Sequence, residues 1–147
     1  MLIKKRYFLF YMLLLTSINI AAEVIEVDFI YVGEKNHPSL LGVKQGLDES
    51  NLQGQFLNQK YNLQTISSDE TDGHDFSKYI AILTSIDSKK LRVLAKQYNN
   101  TPVFNLADES NELRHSCIGN ILHITPSNKM KSDALEQLKI KKPESKA

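Results

Sequence analysis

The chain has 147 residues, with 18 lysines and arginines against 17 acids and a formal net charge of +1. That balance lacks the electrostatic footprint of a nucleic-acid binder, and the single cysteine, Cys117, excludes a disulfide framework. The length suffices for one domain around one core, and Cys117 is expected inside it, since free cysteine is among the most buried residue types.

Lys4, Lys5 and Arg6 form a basic start, Tyr7 to Leu15 is wholly apolar, and Ala21 and Ala22 precede the first acid, Glu23. Basic, apolar and small in that order is the layout of a secretory signal peptide. The apolar part falls short of the roughly 20 residues of a membrane span. Residues 1–22 are therefore expected to direct export and be removed, with membrane contact only during that step. An uncleaved signal anchor is the alternative, because Ile20 is an imperfect match to the cleavage pattern. The remainder carries 15 bases against 17 acids, a charge of −2.

Val24 to Val32 is β-branched and aromatic, as suits a strand covered on both faces. Gly33 to His37 is a polar loop, and Pro38 opens a helix to about Asn51 with Leu40, Val43 and Leu47 on one face. Gly42 and Gly46, four apart, are expected to form a packing groove on it. Gln53 to Lys60 is turn-like, and Tyr61 to Ile66 alternates as a strand near a sheet edge does. Ser67 to Lys78 is the most polar stretch; its acids surround His74 without a metal-ligand spacing and are read as a solvated loop.

Tyr79 to Thr84 is a second buried strand. Ser85 or Asp87 caps the next helix, which carries Leu91, Leu94, Ala95 and Tyr98 and ends at Asn99, Asn100 and Pro102. Val103 to Leu106 is a short strand, Asp108 to Arg114 a turn of helix, and Asn120 to Ile124 a further strand. Thr125 and Pro126 are expected to cap and open a last helix through Leu138. From Lys139 the pattern dissolves into a charged tail over 139–147, so residues 23–138 form the domain.

Strands separated by helices predict an α/β fold, a mostly parallel sheet with helices on both faces. In such sheets ligands sit beyond the carboxyl ends of the strands. That rule selects the loops Gly33–His37, Ser85–Asp87, Leu106–Glu109 and Thr125–Ser127, three of which lead into helix starts whose N–H groups favour an anion. A receiver-like domain shares the element order but needs an acidic pair at the end of the first strand, where this chain has Tyr31, Val32 and Gly33.

The segment FIYVGEKNHPSLLGVKQGLDESNLQGQFLNQKYNL resembles the opening of type I periplasmic substrate-binding proteins, the branched-chain amino-acid receptor class of ABC transporters. The later segment TPVFNLADESNELRHSCIGNILHITPSNKMKSDAL is similar to the subgroup associated with PQQ-dependent alcohol dehydrogenase systems, at Asn105, Arg114, Cys117, His123, Pro126 and Ser127. The resemblance spans about residues 26–138. It implies a single Rossmann-like lobe, a periplasmic location, a small-molecule ligand, and an ABC permease or a periplasmic alcohol dehydrogenase as partner, with no cofactor.

The residues expected to face the ligand are Glu34, Ser85, Ser88, Asn105, Asp108 and Ser127. Two departures from the family stand out. Asp87, Asp108 and Glu109 lie where amino-acid receptors hold a carboxylate, which favours a cation or a hydroxyl-rich ligand. The chain also spans only what would be the first of two lobes, so a stand-alone interaction domain and a nonfunctional truncated remnant stand as alternatives. No Gly-rich phosphate loop, nucleophile elbow or zinc spacing is present, and no residue is assigned a catalytic or metal-binding role.

Overall fold

A computed structural model describes residues 23–141; the expected export signal and the end of the charged tail lie outside the described residues. Five strands, β1 (Ile25–Val32), β2 (Gln59–Ile66), β3 (Ala81–Thr84), β4 (Val103–Asn105) and β5 (Ile121–His123), form one sheet. Its order is β2-β1-β3-β4-β5, with every pairing parallel. The helices are α1 (Pro38–Gly54), α2 (Ser88–Gln97), α3 (Asn111–His115) and α4 (Asn128–Lys141), with a 3-10 turn at Gln55–Leu57. This is the expected α/β architecture, consistent with a single Rossmann-like lobe.

Alternation along the strands divides the fold into two layers. Ile30, Val32, Ile82 and Val103 point to one face and form the core with Leu91, Leu94 and Ala95 of α2 and Leu113 of α3. Tyr31, on the other face, reaches Ser39 of α1. Helices therefore lie on both sides. On the second side α1 packs on β2, with Leu40 buried and Val43 and Leu47 half-buried.

The β2-to-β3 crossover, Ser67–Ile80, contains no helix. It is polar as predicted, yet it carries part of the core: Phe76 is fully buried and Tyr79 nearly so. The Phe76 ring packs against His74 and Tyr98 at centroid distances of 4.9 Å, and the Tyr79 hydroxyl donates to Gln64 Oε1 on β2.

Five expectations are corrected. Cys117 is exposed; it takes a left-handed conformation, φ 47°, in the turn leaving α3, which turns its thiol away from the core. Gly42 and Gly46 face open space, so they form no packing groove within the chain. Ser127, not Thr125, caps α4, its Oγ accepting from Met130 N–H at 3.2 Å. That helix continues past Leu138 to Lys141, since lysine propagates a helix readily and Pro143 stands only two residues beyond. The expected strand at Val24 to Val32 is buried on both faces only at its C-terminal end, Ile30 to Val32.

Candidate functional site at the C-terminal edge of the sheet

The four loops selected from the sequence all leave the C-terminal ends of strands, after β1, β3, β4 and β5. The connections reverse direction between β1 and β3, which makes that junction the switch point of the sheet.

At the switch point the buried Tyr31 side chain shares a hydrogen bond of 2.6 Å with Ser85 Oγ and a longer one of 3.4 Å with Ser39 Oγ. Ser39 in turn lies 2.7 Å from His37 Nδ1, the N-cap of α1, which also accepts the Ser39 backbone N–H. An acceptor at Nδ1 puts the ring proton on Nε2. Gly33 makes the cluster sterically possible, because a methyl group there would lie 2.2 Å from Ser85 Oγ. Ser39 and Ser85 are half-buried, Glu34 is exposed in the loop beside them, and Ser88 is the half-buried first residue of α2.

The β4 and β5 loops form a second group. Asn105 is fully buried. Its Oδ1 accepts from the Ala107 and Asp108 N–H groups at 3.2 and 2.9 Å, and its Nδ2 donates to Asp108 O at 2.7 Å and His123 Nδ1 at 3.1 Å. All four positions of the amide are thus occupied by the chain itself. Asp108 holds the Ser110 N–H and hydroxyl through one carboxylate oxygen. Burial lowers the His123 pKa below the usual imidazole value, the Arg114 charge lowers it further, and the Asp108 carboxylate opposes both. Arg114 Nη2 donates to Thr125 O. Arg114 Nε and Thr125 Oγ1 are buried with no hydrogen-bond partner among the described residues.

The starts of α1, α2 and α4 already hold N–H groups in hydrogen bonds, whereas the short α3 has no side-chain cap. Asp87 accepts from Lys89 and Lys90 N–H at the start of α2. At α4, Asn128, Lys129 and Met130 donate to Glu109 O, Asn111 Oδ1 and Ser127 Oγ. Glu109 also pairs with Lys131. Asp87, Asp108 and Glu109 are therefore all engaged by neighbours.

Of the residues singled out in the sequence, Ser85 joins the switch-point cluster, with Glu34 and Ser88 on adjoining loops, while Asn105, Asp108 and Ser127 organise the β4–β5 end. Tyr31 and Ser39 belong to the site and were missed. The parity of β1 was the available signal, since a tyrosine between two core aliphatics points to the opposite face. A groove of about 550 Å³ opens between Ser68–Asp72, just after β2, and α2; it reaches Ile86 of the Ser85–Asp87 loop, and the Lys90–Asp69 ion pair borders it. No group of three or more His, Cys, Asp or Glu able to hold a metal occurs among the described residues, and no described helix is long and apolar enough to cross a membrane. The chain matches no family model, no curated protein and no solved structure.

Proposed function

We propose that the chain is an exported solute-binding domain that captures a small, neutral, hydroxyl-bearing molecule at the switch point by hydrogen bonds alone. The observation that carries this reading is the Tyr31–Ser39–Ser85 hydroxyl cluster, set at the strand ends where doubly wound sheets bind ligands. With the starts of α1, α2 and α4 and the three loop acids engaged, the cluster favours a neutral ligand over an amino-acid carboxylate or a cation.

The likeness to the first lobe of type I periplasmic receptors supplies the wider setting: export directed by residues 1–22, delivery of ligand to a membrane permease, and a connection to a PQQ-dependent alcohol dehydrogenase system. A second reading, a stand-alone interaction domain, is favoured by the apolar surface the fold leaves open, with Leu122 and Ile124 exposed on the last strand and the segment after it.

Thermal unfolding of the full chain with neutral alcohols and polyols, and separately with amino acids, tests the proposal. A bound ligand at a hundred times its Kd adds about 2.7 kcal/mol, which raises Tm by on the order of 10 °C. Neutral ligands are expected to do so, and Ser85→Ala to abolish the shift while leaving the unliganded Tm within a few degrees. A shift produced only by amino acids, or one that survives Ser85→Ala, overturns the site. A broad melt indifferent to every ligand favours the remnant.

A further inference from the structure

A parallel sheet is stable with both faces covered, and the described residues leave one half-face of this one exposed. The register places Tyr31, Leu83, Phe104 and Leu122 in one row across β1, β3, β4 and β5, on the side where α1 packs on β2. Leu83 and Phe104 are half-buried, whereas Leu122 is 45% exposed and Ile124, continuing the alternation, 61% exposed. The same chain holds a helix without a sheet to lie on. Every residue of α4 from Asn128 to Ile140 is exposed, and Met130, Ala134, Leu135 and Leu138 recur at helical spacing along one side.

The helix cannot reach the bare half-face of its own sheet while its base remains tied. Asn128 N–H donates to Glu109 O at 2.9 Å, Lys129 N–H donates to Asn111 Oδ1 at 3.0 Å, and Lys131 pairs with Glu109. Glu109 lies just before α3 and Asn111 is its first residue, and Leu113 of that helix packs in the opposite layer.

We infer that the covering element comes from a second copy, in a two-fold dimer where α4 of each chain lies across the β3–β5 half-face of the other. Interface size selects the reciprocal form. The 14 residues of α4 extend about 21 Å. One such helix with the sheet beneath it buries on the order of 800 Å², too little for a stable pair, while two bury about 1,600 Å², the size of a standard specific interface. A two-fold arrangement also closes on itself and limits growth to the dimer.

Sedimentation and light scattering of the full chain, in a Cys117→Ser background that removes thiol cross-linking, test the inference. The expected mass at tens of micromolar is twice 16.7 kDa. Leu122→Glu and Leu138→Glu replace residues exposed in the single copy, so far-UV circular dichroism should not change. Each should raise the dimer dissociation constant at least about 100-fold by placing an unpaired carboxylate in the interface. A monomeric parent chain, or a dimer that survives either substitution, overturns the inference.

Discussion

Asn105 illustrates how one side chain shapes the edge where ligands are expected. Its amide accepts two loop N–H groups and donates to a loop carbonyl and to His123, so it acts as a brace for the turn after β4. Asn105→Ala orphans those groups, and at one to three kcal/mol for each buried polar group left unpaired the loss should be about 2–4 kcal/mol, read from urea unfolding. His123 shows the same coupling electrostatically. Because its folded pKa lies below 6.5, the unfolded chain takes up its proton first as pH falls. Its contribution to stability is therefore full above pH 6.5 and declines on acidification until the folded pKa is passed. A proton NMR titration of the imidazole should give a midpoint below 6.5, and Arg114→Met should move it upward.

At the scale of elements, most of what forms was legible because the local signals agree. Val103 to Asn105 and Ile121 to His123 lie within segments read as strands, and Pro38 opens α1 as its fixed φ dictates. For α2 the alternatives were Ser85 and Asp87, and the backbone chooses Asp87, which accepts two N–H groups of the first turn. That turn contains Lys89 and Lys90 and no acid, so the cap also offsets cations at the positive end of the helix dipole. Asp87→Ala should cost about 1–2 kcal/mol, and Asp87→Asn much less, by the same urea measurement. The crossover Ser67–Ile80 was less legible. Its polarity was evident, but two buried aromatics, Phe76 and Tyr79, make an otherwise solvated segment part of the core, and no periodicity announces so few anchors.

At the scale of the whole molecule, the candidate site was legible in outline and not in detail. The rule that ligands gather beyond strand ends selected four loops that do lie at one edge of the sheet, because chain direction and strand order alone decide where those loops lie. It did not reveal that Tyr31 and Ser39 join Ser85, nor that the start of α4 is already held by Glu109 and Asn111, since both depend on groups from segments distant in sequence meeting in space. Cys117 followed a composition rule that the backbone overrode: in the turn leaving α3 its direction is dictated by a left-handed residue, whatever its hydropathy. The sequence by itself determined the α/β class, the alternation of the strands and the loops available for binding, because these follow from short-range periodicity and steric preference. Only the tertiary structure decided which hydroxyls meet, which acids are engaged and which half of the sheet stays open, because those depend on how far each helix reaches across a surface the chain must first assemble.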